Sequence, residues 1–221
     1  MMQHLGTGRR AGRAALLLAL VLLAGCAKSV IAPEEAVQAA AYRAPGPDTL
    51  TLFTMVNNRS GGGGHSALMI NGPAERVIFD PAGTWWHRTA PERNDVIHGI
   101  TPTMLDFYIG YHARETYRVE MHTIEVSPEV AARARVAAVA NGAVPNAMCA
   151  RATSAVLRQT PGFEDIPATL FPITLMEAFT ARPGVRHQTI REEDGAENRA
   201  VLAAQQASAA PAPAEAAQPS R

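Results

Sequence analysis

The two ends of this 221-residue chain differ so much from its middle that they limit the folded part to about residues 48–191. Near the N-terminus, the apolar run Ala14–Leu23 is too short to cross a hydrocarbon core about 30 Å thick as a helix. From about residue 192 the chain is mostly Ala, Gln, Glu, Ser and Pro, and such a composition buries too little apolar surface to order itself. We therefore predict a tether at 26–47, one domain of ordinary size, and a disordered tail at 192–221, with a short helix around 196–206 as the alternative for part of the tail.

Residues 1–25 have the layout of a secretion signal that is removed from the finished protein. Arginines precede the apolar run, and Leu23-Ala24-Gly25-Cys26 follows it directly. This tetrapeptide resembles the lipobox of bacterial lipoprotein precursors. The resemblance implies cleavage before Cys26 and attachment of lipid to that cysteine, which would hold the protein on a membrane of the bacterial cell envelope. Ala27 at the next position implies, for a Gram-negative cell, the outer membrane with the domain facing the periplasm; the alternative is an ordinary secretory signal that happens to contain a cysteine.

Charge argues against nucleic acid as a partner. The whole chain has 20 basic and 20 acidic residues, and removal of residues 1–25 takes away three arginines and no acid, which leaves 17 against 20, or a net charge of −3. No basic block stands out, as a nucleic-acid-binding surface would require.

Alternating apolar and polar residues predict strands at Thr49–Val56 and Tyr117–Val126. Two short apolar runs, 65–70 and 76–80, lie on either side of Asn71-Gly72-Pro73 and predict a hairpin. A last strand is predicted at 185–190.

Helix signals follow the second of these strands. Ser127-Pro128-Glu129 provides an N-cap, a proline at the first helical position and an early acid, and Asn141-Gly142 ends the helix. A second helix is predicted from Ala147 to about Gln159, with Asn146 as its N-cap, and shorter helices near 103–108 and 174–180. Together these elements predict an α+β domain in which a small antiparallel sheet packs against helices.

Cys149 is the only thiol left after lipid has been attached to Cys26. Burial as a small hydrophobic side chain is one interpretation. With Asn146 as N-cap, however, Cys149 would be the third helical residue, where unpaired N–H groups and the helix dipole favour the thiolate. The second interpretation is therefore a catalytic nucleophile.

The hairpin offers a partner for this thiol. If its turn is centred between Gly72 and Pro73, His65 lies directly opposite Asp80 on the same face of the sheet. A carboxylate beside an imidazole fixes the tautomer of the ring and stabilises the imidazolium. The alternative is a solvent-facing histidine and an aspartate that merely ends a strand, and a register slip of one residue would separate the pair.

The segments Gly-His-Ser-Ala-Leu-Met-Ile-Asn-Gly (64–72) and Val-Ile-Phe-Asp-Pro-Ala-Gly (77–83) resemble the histidine strand and the next strand of NlpC-like papain-fold hydrolases. Because His precedes Cys here, the likeness is to the circularly permuted branch. It implies a papain-like permuted NlpC fold with Cys149 as nucleophile, His65 as general base and then acid, and Asp80 as the orienting residue. The backbone N–H of Cys149 is the expected oxyanion donor.

The resemblance and the expected location imply hydrolysis of an amide in a cell-wall peptide. The alternatives are a hydrolase or transferase acting on a lipid ester, and a non-catalytic lipoprotein that binds wall peptides or a protein partner. No cofactor is expected, since the glycine run 61–64 lacks a following Lys-Ser/Thr and therefore predicts no nucleotide site. No metal site is expected either, because His87, His98, His112 and His122 show no metal-ligand spacing. Trp85 and Trp86 are assigned to the core or to a substrate cleft.

Overall fold

The computed structural model describes residues 30–195 and 197–208, which form six helices and one seven-stranded sheet. The strands are β1 (Thr49–Asn57), β2 (Gly63–Asn71), β3 (Arg76–Phe79), β4 (Glu92–Arg93), β5 (Val96–Ile97), β6 (Tyr117–Glu125) and β7 (Arg186–Ile190). The helices are α1 (Glu34–Ala40), α2 (Pro102–His112), α3 (Pro128–Asn141), α4 (Cys149–Arg158), α5 (Pro172–Thr180) and α6 (Asn198–Ser208).

Every strand pairs antiparallel with its neighbours, in the order β4-β5-β3-β2-β1-β6-β7. The predicted α+β class and the antiparallel sheet are confirmed. Both faces of the sheet are covered, because successive side chains of a strand point to opposite sides. Leu50 and Leu52 of β1 pack with α3, α4 and α5, whereas Phe53 and Met55 pack with α2.

Local signals set the ends of the two best-punctuated helices. The Thr101 hydroxyl accepts the N–H of Met104 at 3.2 Å at the start of α2. The Ser127 hydroxyl accepts the N–H of Val130 at 3.4 Å at the start of α3, which stops before Gly142, a residue in the left-handed region at φ 72°. The predicted bounds of α3 are confirmed, because caps and glycine conformation are properties of the local sequence.

The ordered chain extends beyond the predicted range 48–191 on both sides. Val37 of α1 is buried, and the carbonyl of Tyr42 accepts the N–H of Arg76 at 2.6 Å. On the C-terminal side, α6 buries Gln205 against the domain. The alternative of a short helix around 196–206 is confirmed by α6, but its docking through a single buried glutamine leaves almost no trace in the composition.

The signal segment 1–25 and the lipidation residue Cys26 lie outside the described residues. Among those that are described, none of the helices has both the length and the apolar character needed to span a bilayer.

Candidate active site

The strand that carries His65 begins with a bulge. The pairing of β1 with β2 shifts between Met55, which faces His65, and Val56, which faces Gly63, so that Gly64 is the extra residue. A Cβ on Gly64 would lie 2.6 Å from the ring of Tyr117, and one on Gly63 would lie 2.7 Å from the Cβ of Pro172. These two glycines therefore permit close packing beside the histidine.

His65 and Asp80 are in contact, with His65 Nε2 2.6 Å from Asp80 Oδ1. The register that we predicted for the hairpin is wrong by two residues: Asn71 faces Arg76, so that a four-residue turn replaces the expected two-residue one. The turn is closed by a hydrogen bond from Gly72 N–H to the carbonyl of Glu75. Because a shift of two keeps every side chain on its face, the pair still meets, diagonally and just beyond the end of β3.

Cys149 is the first residue of α4, not the third. The predicted cap Asn146 is wrong: Met148 is the N-cap residue, and no side chain caps this end. The reason is the backbone of Ala147, which lies in the left-handed region at φ 66° and prevents the helix from starting earlier. Cys149 is 7% exposed and still lies at the N-terminal end of the helix dipole.

The thiol of Cys149 interacts with His65 as a hydrogen-bond partner and as an opposite charge. Asp80 occupies Nε2 of the ring, which leaves Nδ1 as the nitrogen available to the sulfur. The backbone N–H groups of Ser66 and Ala150 also donate to the sulfur. Ser66 lies in the part of β2 that β3 does not reach, so this edge of the strand is open to the start of α4.

The pKa values describe a charged pair. Burial raises the pKa of Cys149, but contact with His65 and the two backbone N–H groups outweigh it and lower that pKa below its usual 9.0. Burial lowers the pKa of His65, yet the charge and hydrogen bond of Asp80, together with Cys149, raise it to about 10. The imidazolium is therefore the favoured form of His65 at neutral pH, and Cys149 has a larger thiolate fraction than a free cysteine.

Asp80 has further partners that the sequence did not reveal. The hydroxyl of Tyr108 donates to Asp80 Oδ1 at 3.0 Å, and the ring of His112 stacks on that of His65 with centroids 6.0 Å apart. Burial raises the pKa of Asp80, but His65, His112 and Tyr108 lower it overall. The spacing of Tyr108 and His112 places both on one face of α2, but nothing in the sequence says that this face covers the hairpin.

The buried carboxylate of Asp95 is hydrogen-bonded to two loops that flank the candidate site. Asp95 Oδ2 accepts the N–H of Ala82 at 3.0 Å and the N–H of Val144 at 3.1 Å. One of these loops follows Asp80, and the other precedes Cys149. Burial raises the pKa of Asp95 despite these two bonds. This residue was not predicted, because its role depends on two segments distant in sequence.

A cavity of about 270 Å³ opens beside His65 and is also lined by Thr84, Tyr111 and His112. On the other side of residues 82–84, a wider groove of about 840 Å³ runs past Trp86 to Asn146. The two tryptophans differ: Trp85 is 2% exposed and packs edge-on against Tyr108, whereas Trp86 is 52% exposed. Core packing thus applies to Trp85, which only borders the groove, whereas Trp86 is exposed along it.

One cluster in the described part of the chain has side chains of the types that bind metal ions. One ligand atom each from His65, Asp80 and His112 lies within 4.8 Å of the others. The sequence analysis did not predict His112 as a metal ligand. Spacing along the chain detects only ligands that lie on the same helix, strand or loop.

Comparison of the chain with protein-family models, with curated proteins and with solved structures yields no match.

Proposed function

We propose that the chain is a cysteine hydrolase that cleaves an amide through a thioester on Cys149. The observation that carries the proposal is the position of His65, whose Nε2 lies 2.6 Å from Asp80 Oδ1 and whose ring also interacts with the thiol of Cys149. A nucleophile, a proton carrier and an orienting acid in hydrogen-bond contact are the requirements of nucleophilic acyl transfer.

The reaction follows from the charged pair. The Cys149 thiolate attacks the carbonyl carbon, and the electron pair of the carbonyl moves to its oxygen. The His65 imidazolium then gives its Nδ1 proton to the leaving nitrogen as the carbon–nitrogen bond breaks, which leaves a thioester and a neutral imidazole. Water attacks the thioester while His65 takes a proton from it, and the acid product leaves as the thiolate and imidazolium return. Asp80 holds the ring through Nε2 throughout.

The oxyanion formed on attack needs N–H donors. Cys149 begins α4, so its backbone N–H has no partner within the helix and is our candidate donor. Ser66 and Ala150 direct their N–H groups at the sulfur, and they favour the thiolate before the attack.

The chain order His65, Asp80, Cys149 and the packing of α4 on the sheet support the further proposal of a papain-like permuted NlpC arrangement. The lipobox-like segment that ends at Cys26 supports attachment to a membrane of the cell envelope. The proposed location is the outer membrane, with the folded domain facing the periplasm. A cell-wall peptide is then the amide within reach, and a lipid ester is the other acyl substrate there.

Thiol labelling tests the activation of Cys149. In a Cys26→Ser background, Cys149 is the only thiol of the chain. We expect iodoacetamide to label it at pH 7 faster than it labels free cysteine, and we expect His65→Ala to slow labelling at least tenfold, because the imidazolium that stabilises the thiolate is gone. Equal rates in the two proteins would contradict the proposal.

Substrate cleavage tests the reaction itself. Purified peptidoglycan is incubated with the Cys26→Ser protein or with the same protein carrying Cys149→Ala, and the released peptides are compared by mass spectrometry. New fragments that depend on Cys149 support an amidase. A set of simple lipid esters run in parallel distinguishes the ester substrate.

One observation favours a non-catalytic binding role instead, namely the low exposure of Cys149, 7%. Such burial restricts the access of a substrate carbonyl to the sulfur. If labelling is slow and is the same in the folded wild-type and His65→Ala proteins, the binding role is the better description.

A further inference from the structure

We propose that His65, Asp80 and His112 form a binding site for a divalent transition-metal ion such as Zn²⁺. Two imidazoles and one carboxylate are a ligand set that Zn²⁺ uses when it keeps open positions for water. Here they come from three separate elements: β2, the segment after β3, and the last residue of α2.

The ligand atoms already lie close together. His65 Nε2 and Asp80 Oδ1 are 2.6 Å apart, and the three residues place one ligand atom each within 4.8 Å. Ligands about 2.0–2.1 Å from a tetrahedral Zn²⁺ lie roughly 3.3 Å from one another. Small side-chain rotations therefore suffice to close the site.

The tautomer of His112 suits a metal ligand. Its Nδ1 lies 2.8 Å from the carbonyl oxygen of Tyr108, and because a carbonyl only accepts, Nδ1 carries the proton. The lone pair is then on Nε2, the nitrogen left for an ion. Metal-bound histidines regularly donate their other N–H to a carbonyl or carboxylate in this way.

The carboxylate of Asp80 has one oxygen that can still accept a ligand. Asp80 is 3% exposed, and its Oδ1 accepts the hydroxyl proton of Tyr108 at 3.0 Å. Its second oxygen, Oδ2, is buried without a hydrogen-bond partner among the described residues. A buried carboxylate oxygen without a partner is costly, and coordination of a cation would remove that cost.

The ion has a route of entry and room for water. The cavity of about 270 Å³ is lined by both His65 and His112. Asp80 contacts Nε2 of His65, and Cys149, which interacts with the same ring, is not among the residues that line this cavity. The protein would thus provide three ligands, and water would complete the coordination.

Binding of the ion has a consequence for the site as a whole. The ion forms a bond to His65 Nε2 and displaces the proton that this nitrogen shares with Asp80, which leaves to solvent. His65 then loses its contact with Asp80 and its imidazolium form. We therefore expect the bound metal to inhibit hydrolysis. This expected inhibition rests on the proposed function, whereas the binding of the metal does not.

The test measures binding of Zn²⁺ alone to the untagged full chain in the Cys26→Ser background, by competition with a chromophoric chelator at pH 7.5. We expect one ion per chain, and at least tenfold weaker binding in His112→Gln, with folding checked by circular dichroism. His187→Gln is the matched control, because His187 stacks on His122 at the far edge of the sheet, 4.4 Å between centroids, and is the strongest rival histidine pair. We expect this control to bind like the wild type.

Three results would overturn the proposal: unchanged binding in folded His112→Gln, loss of binding in His187→Gln, or loss in Cys149→Ser, which would place the ion on the thiolate. Retention of binding by Cys149→Ser supports it. If Zn²⁺ binding depends on His112 but iodoacetamide labelling does not depend on His65, the metal site stands and the proposed hydrolase fails.

Discussion

Asp80 is the residue that sets the charge of His65. The carboxylate is buried, accepts hydrogen bonds from His65 and Tyr108, and holds the histidine pKa at about 10. The imidazolium is therefore present below about pH 10 and is lost above it. Cys149 depends in turn on this positive charge for its lowered pKa.

Substitution of Asp80 by Asn should change the pKa values of both His65 and Cys149. Without the carboxylate, we expect the His65 pKa to fall from about 10 towards the ordinary 6.5, and the Cys149 pKa to rise because its partner is neutral above that pH. The midpoint of the pH profile of iodoacetamide labelling should move to higher pH. Asp165→Asn is the control, since Asp165 pairs with Arg182 on the surface, away from the site; a profile unchanged in Asp80→Asn would contradict the assignment.

Gly83 is required by the position of the Asp80 carboxylate. A Cβ at residue 83 would lie 1.8 Å from Asp80 Oδ2. We expect Gly83→Ala to push the carboxylate away from His65, to shift the labelling profile as Asp80→Asn does, and to cost about 1–3 kcal/mol of stability from overpacking. Gly110→Ala provides the comparison, because its nearest neighbour would be 3.9 Å away; if both variants keep the wild-type profile, Gly83 has no such role.

At the scale of elements, α6 is attached to the domain through one buried side chain. Gln205 accepts the indole N–H of Trp85 at 3.1 Å and donates to the carbonyl of Phe107 at 2.8 Å. Gln206, one residue further, donates to the carbonyl of Trp86 at 2.9 Å but is only partly buried. The helix therefore docks on α2 and on the segment around the tryptophans.

The two glutamines predict unequal effects on stability. Gln205→Ala leaves a buried indole N–H without an acceptor and should lower the free energy of unfolding by about 1–3 kcal/mol. Gln206→Ala should cost clearly less, because water replaces its partners. Urea unfolding of both variants checks this, and equal losses would contradict the larger role of Gln205.

For the molecule as a whole, two histidines limit stability in acid. Burial, and for each a nearby histidine, lower the pKa values of His112 and His122 to about 4. In the unfolded chain they titrate near 6.5, so between pH 6.5 and 4 the unfolded state binds protons that the folded state does not. Stability is therefore lost as the pH falls through this window, while the contribution of His65, with its raised pKa, stays complete there.

We expect the free energy of unfolding to drop by roughly 3 kcal/mol per histidine from pH 6.5 to pH 4. Urea titrations at several pH values measure this slope, and His122→Leu should make it shallower by removing one of the two groups. A slope unchanged in that variant would assign the acid sensitivity elsewhere.

Much of the fold follows from the sequence by itself. Alternation predicted β1 and β6, and the cap at Ser127 with the stop at Gly142 predicted α3, because periodicity, caps and glycine conformation act over a few residues. The same local reasoning brought His65 and Asp80 to one face of one hairpin. That prediction survived an error of two residues in register because side chains of a strand repeat with a period of two.

Only the tertiary structure decided what surrounds that pair. The start of α4 at Cys149 depends on the left-handed backbone of Ala147. The approach of Cys149 to His65 depends on the short pairing of β3 with β2, which begins at Leu68 and leaves Ser66 without a β3 neighbour. The contacts of Tyr108 and His112 with the pair depend on which face of the sheet α2 covers. These are packing choices between segments distant in the chain, and their free energy comes from burial that no local pattern records. The sequence therefore determined the candidate nucleophile and the candidate histidine–acid pair, and packing determined their charges and brought His112 beside them.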